Sequence, residues 1–312
     1  MIKVISPGLL TTLQDGGRYG YQQFGVPVCG AMDRYSLNLA NMLAGNDPDE
    51  GALEITYMGP TLRFESGCTF ALCGGRFEAK LDGQPVEMAR AYAAAPGSTL
   101  EVGVIKEGFR GYLAVSGGFA IEPVLGSRST YLKGGFGGLH GRKLKKEDVL
   151  PLRNPSLWLS FMDQRVYEPD TWRYPLKDRA VRVVLGPQEE RFSAKGMETF
   201  LSAEYSVTQE SDRMGYRLDG QAIEYAEGCD GNIISDGIVM GAVQVPSGKP
   251  IIMMADRQTT GGYSKIATVI TADLPLLAQM QAGSKIRFEA VTAQEAARIR
   301  RKQQGFLRRL EF

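Results

Sequence analysis

A run of polar residues follows an apolar segment in the C-terminal third of the chain. The apolar residues PIIMM lead directly into the segment ADRQTTGGYSKIA at 255–267. A strand that delivers polar side chains at its end is typical of a ligand site at the mouth of a β-barrel. The amide of Gln258 and the hydroxyls of Thr260 and Tyr263 can hydrogen-bond an amide or ureido group. Lys265 either neutralises an anion or acts as a base; the alternative is a solvated lysine.

Two glycines interrupt this segment, although threonine and tyrosine favour a strand. The pair Gly261-Gly262 predicts a tight turn at a strand end. Because glycine has no side chain, Gly262 would let a small planar group lie against the backbone. The alternative is a turn that contacts no ligand.

A second cluster of charges lies in ESDRMGYRLDG at 210–220. Alternation along a strand puts Arg213 and Arg217 on the same face. Either this is a solvated strand face, or Arg213 is a catalytic cation that Asp212 holds in place. On the second interpretation, Tyr216 is a further substrate contact.

A third candidate lies near the N-terminus, in TTLQDGGRYGYQQFGVPVCGAMD. Asp15 and Arg18 are close enough to pair across the turn that Gly16-Gly17 requires. This arrangement is either a structural ion pair that holds the loop, or it leaves Arg18 to present its guanidinium to a carboxylate or phosphate.

A fourth stretch, LKGGFGGLHGRK at 132–143, contains two pairs of glycines. Exposed backbone N–H groups beside cations bind anions, which makes this the candidate cofactor-binding loop. The alternative is a flexible surface hairpin, since neither a Walker A loop nor a GxGxxG motif is present. The candidate residues are Gly134, Gly135, Gly137, Gly138 and Arg142, and His140 is either an exposed loop residue or a functional one.

Composition excludes several classes of function. The net charge is +1, which argues against a nucleic-acid partner or an acidic membrane surface. No apolar stretch resembles a signal peptide or a membrane span, and four widely spaced cysteines are typical of free thiols in a reducing cytoplasm. One histidine and no cysteine pair predict no metal site.

The elements that would position these residues are mostly strands. Short apolar runs bounded by turn residues predict a mainly β chain, a barrel or sandwich with a few helices, and 38 glycines fall between the runs. Asp82-Gly83 predicts a hairpin. Capping signals predict helices at 33–45, 273–283 and 292–304. A Pro-rich, aromatic segment at 154–178 would connect an N-terminal β-rich half, 1–153, to a C-terminal one, 179–312.

Several of these motifs together resemble the allophanate hydrolase subunit 2 family. They are SPGLLTTLQDGGRYGYQQFGVPVCGAMD, GNDPDEGALEIT, AVSGGF, SDRMGYRLDG and VQVPSGKPIIMMADRQTTGGY. This family includes KipA-like 5-oxoprolinase subunits and part of the carboxyltransferase region of urea carboxylase. The resemblance implies a cyclophilin-like β-barrel architecture. It also implies two partners in 5-oxoprolinase, a KipI-like B-subunit and an A-subunit.

The resemblance implies ATP-dependent opening of the lactam 5-oxoproline to glutamate, with ATP and Mg²⁺ on this chain or on a partner. Arg18, Arg213 and Lys265 would be the catalytic cations. Asp15 and Asp212 would hold the arginines or bind Mg²⁺. No AMKM motif is present, so no biotin is expected on this chain. The alternatives are a biotin-dependent carboxyltransferase component for urea or a similar acceptor, and a non-catalytic antagonist of a KipI-like kinase inhibitor.

Overall fold

The computed structural model describes residues 1–156 and 180–308, which fold into two compact units. Among the described residues, the first unit contains 1–19, 29–156 and 307–308, and the second contains 20–28 and 180–306. Both units are built mainly from strands, so the predicted fold class is confirmed. Most of the predicted connection, 157–178, lies outside the described residues, and the predicted boundaries stay a prediction.

The first unit is built on one nine-stranded sheet with the order β2-β3-β8-β4-β1-β9, to which β5, β6 and β7 are added. β5 and β8 are the longest strands and pair antiparallel with three register shifts. Such bulges bend a sheet and increase its twist, and this sheet curls into a half-barrel. The strands are β1 Ile2–Ser6, β2 Leu10–Gln14, β3 Ala52–Thr56, β4 Thr61–Phe64, β5 Cys68–Leu81, β6 Gln84–Val86, β7 Ala91–Ala94, β8 Thr99–Val115 and β9 Val149–Leu150.

Local signals in the first unit behave as the sequence predicts. Asp82 and Gly83 both have positive φ, at 50° and 80°, and close the hairpin between β5 and β6. Helix α1 spans Arg34–Ala44. The Asp33 side chain accepts a hydrogen bond from the amide of Ser36, and Gly45 ends the helix in the left-handed conformation.

The second unit has an eight-stranded sheet with the order β18-β11-β12-β15-β14-β17-β10-β19, which forms a nearly closed barrel. β13 and β16 form a separate two-stranded sheet, which we call the ribbon. The strands are β10 Val181–Leu185, β11 Tyr205–Val207, β12 Gly215–Asp219, β13 Asn232–Gly237, β14 Ala242–Gln244, β15 Ile251–Met253, β16 Thr260–Tyr263, β17 Lys265–Val269, β18 Lys285–Ile286 and β19 Phe288–Ala290.

Among the described residues, the second unit contains helices α2 Ala194–Ser202 and α3 Leu274–Ala278, and all but the last two residues of α4 Ala293–Arg308. The predicted capping box is partly seen, since the amide of Glu295 donates to the Thr292 hydroxyl at 3.1 Å. The predicted helix at 273–283 is wrong in length, because the amides of Gln279 and Met280 donate to carbonyls three residues back and tighten the chain into turns. Among the described helices, none combines the length and the hydropathy of a membrane span.

Candidate functional site

The glycine pair at 261–262 lies inside a strand, so the predicted turn is wrong. Gly261 pairs with Asp236 and Thr260 pairs with Gly237 across the ribbon. A Cβ on Gly261 would lie 2.6 Å from Nε2 of Gln244 and 3.1 Å from Ile238. The first glycine therefore lets the ribbon pack closely on the body of the second unit.

The polar side chains of the 258–263 segment, which we call the polar stretch, are open to solvent. Gln258 and Thr260 are exposed, and Tyr263 is 43% exposed. Around Gly262, the nearest atom to an added Cβ is the carbonyl oxygen of Ile233, at 3.5 Å. The amide, hydroxyl and phenol groups can therefore be reached by a small planar ligand, and their predicted roles stay predictions.

Lys265 follows the polar stretch and is buried, so the solvated alternative is wrong. Its Nζ lies 2.8 Å from the carboxylate of Asp236, which is itself exposed on β13. The hydrogen bond from Lys265 lowers the pKa of Asp236 below its usual range. The amine of Lys265 is thus engaged with a carboxylate, and its predicted catalytic role stays a prediction.

Arg213 forms a buried ion pair at the other end of the polar stretch. Its Nε and Nη2 lie 3.0 and 2.9 Å from the two carboxylate oxygens of Asp256. This fork-to-fork geometry is the strong form of the arginine–carboxylate pair. Asp256 comes two residues before Gln258, so an ion pair flanks each end of the polar stretch: a buried one at Asp256 and a half-exposed one at Lys265.

The predicted strand face that carries both Arg213 and Arg217 is wrong. β12 begins only at Gly215, and Arg213 is buried while Arg217 is exposed. The carboxylate of Asp212 accepts hydrogen bonds from the amides of Met214 and Gly215. Since these amides occupy the carboxylate, Asp212 shapes the turn that aims Arg213 inward.

Tyr216 lies in the core of the second unit, where it is 2% exposed. Its hydroxyl donates to the carbonyl of Met280 at 3.3 Å. The structure therefore does not bring Tyr216 to the exposed polar stretch.

In the first unit, the expected Asp15–Arg18 ion pair does not form. The Asp15 carboxylate accepts hydrogen bonds from the amide of Gly17 at 2.8 Å and the hydroxyl of Ser127 at 2.7 Å. The amide of Arg128 and the hydroxyl of Ser129 donate to it as well. Because nearby backbone amides and serine hydroxyls occupy the carboxylate, they replace the arginine as its partners.

Arg18 is fully buried and binds backbone carbonyls instead. It donates from Nε to Val124 at 2.8 Å and from Nη2 to Ser129 at 2.9 Å, and it stacks on the ring of Phe136 at 4.9 Å. Its Nη1 has no hydrogen-bond partner among the described residues. These contacts give Arg18 a structural role within the loop, and its buried fork is not presented to solvent.

The predicted cofactor-binding loop at 132–143 is engaged largely in contacts within the first unit, and its role in binding ATP stays a prediction. The amides of Gly135, Gly138 and Gly141 donate to carbonyl oxygens within the first unit. Arg142 is engaged with Asp148 through two hydrogen bonds of 2.7 and 2.8 Å, which raise the pKa of Arg142. Because these donors are occupied, the loop has few free groups for an anion.

Several glycines of this loop instead permit close packing. A Cβ on Gly137 would lie 2.9 Å from Nη2 of Arg18, and one on Gly134 would meet the ring of Tyr131. His140 is exposed, with a φ of 59°. The alternative of a flexible surface hairpin is therefore also wrong for the Gly137 end of the loop.

Arg18 belongs to the first unit, whereas Arg213 and Lys265 belong to the second. A common pocket for the three cations stays a prediction. Within the described residues, no group of three histidine, cysteine, aspartate or glutamate side chains is arranged to hold a metal ion.

A buried polar cluster in the first unit was missed by sequence reasoning. Oε2 of Glu54 accepts hydrogen bonds from the Tyr112 hydroxyl at 2.7 Å and the amide of Met32 at 2.9 Å. Burial, followed by the charge of Glu54, raises the pKa of Tyr112 well above its usual value. The signal was a charged glutamate inside the mostly apolar strand ALEIT, and the cluster fixes the chain just before α1.

Sequence reasoning also did not identify Asp236 and Asp256 as the ion-pair partners of Lys265 and Arg213. Asp256 stands in the quoted segment, but nothing local connects it to Arg213.

Comparison with known protein families gives a match over most of the chain. The sequence model of the family "Carboxyltransferase domain, subdomain A and B" matches residues 24–290. The chain belongs to this carboxyltransferase-domain family.

Curated relatives of this carboxyltransferase-domain chain fall into two groups. The 5-oxoprolinase C-subunit of Escherichia coli K12 is 40% identical over 313 residues, covering 100% of this chain and 98% of the relative. The urea amidolyase of Lachancea kluyveri is 33% identical and covers 99% of this chain, which spans only 18% of that relative. The predicted family resemblance is therefore confirmed.

A solved structure shares the fold. The crystal structure of Kluyveromyces lactis urea carboxylase matches 99% of this carboxyltransferase-domain chain with a TM-score of 0.92 and 31% identity. The chain spans 29% of that larger protein. The β architecture of both units is thus that of the urea carboxylase carboxyltransferase region.

Proposed function

We propose that this chain is the C-subunit of an ATP-dependent 5-oxoprolinase and opens 5-oxoproline to glutamate together with the A- and B-subunits. The supporting observation is the 40% identity to the E. coli C-subunit, which extends over nearly the full length of both chains. The C-subunit of Haemophilus influenzae supports it equally, with 40% identity over 98% of this chain.

The polar stretch is the proposed substrate contact on this chain. Gln258 and Thr260 can donate to and accept from a lactam amide, because both side chains are exposed and carry both kinds of group. Tyr263 can cover one face of the planar ring or donate to its carbonyl oxygen. The Arg213–Asp256 and Lys265–Asp236 pairs hold the backbone of this stretch at its two ends.

ATP binding is proposed for another member of the complex. In the glycine-rich loop the amides of Gly135, Gly138 and Gly141 donate within the chain, and Arg142 is paired with Asp148. The contribution assigned to this chain is therefore substrate binding and orientation, which convert a bimolecular encounter into a positioned reaction.

The proposal is tested by co-expressing this chain with its partner subunits and measuring ATP-dependent release of glutamate from 5-oxoproline. We expect release by the complete complex and none when this chain is omitted. Release at an unchanged rate without this chain would remove it from the catalytic unit.

A biotin-dependent carboxyltransferase is the second candidate. The TM-score of 0.92 to urea carboxylase and the family match favour it. A ureido ring, urea and a lactam are all small planar amides, so the same polar stretch could take each of them. Carboxylation of urea by this chain with a biotin carboxylase and a biotinylated carrier, without glutamate release from 5-oxoproline, would select this candidate.

A further inference from the structure

A groove separates the C-terminal helix α4 from the outer face of the sheet in the second unit. Its volume is about 450 Å³, which lies within the roughly 300–1,000 Å³ typical of small-ligand sites. We call it the helix groove and define it by Val184, Thr268, Ile270, Ala293, Ala297 and Arg300. None of these residues belongs to the polar stretch.

The floor of the helix groove is the outside of the barrel. Val184 on β10 pairs in register with Thr268 on β17. Their neighbours Val183 and Ala267 are fully buried in the core, so alternation turns Val184 and Thr268 outward. Both of these outward side chains are only half-buried. An apolar side chain and a hydroxyl are thus left accessible on the floor of the groove.

The helix wall of the groove is built from short side chains. One face of α4 lines the groove. Its residues are spaced three or four apart, and they are Ala293, Ala297, Arg300 and Gln304. Alanine at two of these positions leaves open the space that a larger side chain would fill. The helix is held from its adjacent face, where Nε2 of Gln303 donates to the carbonyl of Ala272 at 3.1 Å.

Two arginines line the helix groove beside this apolar wall. Arg300 and Arg301 are both exposed, and neither forms an ion pair within the described part of the chain. In contrast, Arg298 on the same helix lies 3.6 Å from Glu295 and is not part of the groove lining. The groove therefore combines an apolar interior with two cations that have no acidic partner there.

We propose that the helix groove binds a small amphiphile that carries a carboxylate or phosphate on an apolar body. Arginine binds both head groups through paired N–H donors. The apolar body would cover the half-buried Val184 and take the space above the exposed alanines, which removes apolar surface from water. This site is separate from the polar stretch, so the proposal does not depend on 5-oxoprolinase activity.

The test is isothermal titration calorimetry of the full chain with octanoate at neutral pH, with octyl phosphate as the second head group and 1-octanol as the uncharged match. The variants are Arg300→Ala/Arg301→Ala, which removes both cations, and Ala297→Leu, which fills the groove. Arg298→Ala is the matched control, because it removes a cation from the same helix outside the groove. Thermal melting of each variant verifies that it is folded.

We expect one site for octanoate or octyl phosphate in the wild type, and weaker binding of 1-octanol. Losing both arginines should weaken the affinity for octanoate by about tenfold or more. Ala297→Leu should abolish octanoate binding. Arg298→Ala should bind octanoate with the affinity of the wild type. The proposal is overturned if neither anion binds the wild type. It is equally overturned if a folded double variant binds octanoate unchanged, or if Arg298→Ala loses as much affinity as the double variant.

Discussion

Lys265 and Asp236 tie the ribbon to the main sheet of the second unit. The Nζ of Lys265 is buried on β17 and lies 2.8 Å from a carboxylate that β13 carries at the surface. Asp236 also pairs across the ribbon with Gly261, so this one aspartate is linked to both β16 and β17. The pair thereby positions the exposed side chains of Thr260 and Tyr263.

The Lys265–Asp236 pair predicts a stability difference that depends on pH. Because the hydrogen bond from Lys265 lowers the pKa of Asp236 in the folded state, the carboxylate stabilises the fold above its unfolded pKa of about 3.9. This stabilisation is lost as the pH falls through the lower, folded pKa. Asp236→Asn should therefore melt below the wild type at neutral pH, and the gap should close in strong acid.

The measurement is thermal melting of wild type and Asp236→Asn from neutral pH to below about pH 3, a range that spans ordinary aspartate titration. Asp47→Asn, at an exposed aspartate, is the control and should follow the wild type. A gap of the same size at every pH would contradict the assigned role of Asp236.

The Arg213–Asp256 pair predicts a large loss of stability when one partner is removed. Arg213→Ala leaves the buried carboxylate of Asp256 without its charge partner, which should cost about 3 kcal/mol in the free energy of unfolding. Arg217→Ala removes an exposed arginine four residues later and should change it by less than about 0.5 kcal/mol. Chemical denaturation measures the free energy of unfolding of both variants. If Arg213→Ala and Arg217→Ala unfolded at the same denaturant midpoint, the Arg213–Asp256 pair would contribute nothing to stability.

The two glycines of the ribbon should respond differently to substitution. Gly261→Ala places a Cβ 2.6 Å from Nε2 of Gln244, which is buried and donates to the carbonyl of Tyr263. Displacing that amide should destabilise the protein by about 1–2 kcal/mol. A Cβ added at Gly262 would lie 3.5 Å from its nearest atom, which is an ordinary contact. Gly262→Ala should therefore keep wild-type stability.

Gly262 should matter for activity, whereas Gly261 matters for stability. If a planar substrate lies against Gly262, Gly262→Ala should lower glutamate release by the assembled complex while the chain stays as stable as the wild type. Unchanged activity of this variant would mean that no ligand approaches the backbone there.

Much of the fold could be predicted because its signals are local. The positive-φ turn at Asp82-Gly83, the cap at Asp33 and the stop at Gly45 each depend on a few neighbouring residues. Short apolar runs likewise predict strands, because alternation and turn residues are read within one segment. The family resemblance rested on such continuous motifs.

The site could be predicted only in part, because its decisive contacts are distant in sequence. Asp236 is 29 residues from Lys265, and Asp256 is 43 residues from Arg213. These pairings depend on the register of β13 with β16 and of β12 with β15, which no local pattern reveals. Arg18 shows the same limit: its neighbour Asp15 looked like the natural partner, but carbonyls more than a hundred residues away take its donors.

The central claim is that the polar stretch contacts the substrate of a 5-oxoprolinase. The most direct test is to measure kcat/KM for glutamate release by the reconstituted complex that carries the double variant Gln258→Ala/Tyr263→Phe. Tyr57→Phe is the control, because Tyr57 is exposed to the same extent as Tyr263, at 42%, but lies in the first unit. The double variant should assemble normally and lose about a hundredfold in kcat/KM, since two substrate hydrogen bonds are removed, while Tyr57→Phe keeps wild-type activity. A correctly assembled double variant that releases glutamate at the wild-type rate would contradict the claim.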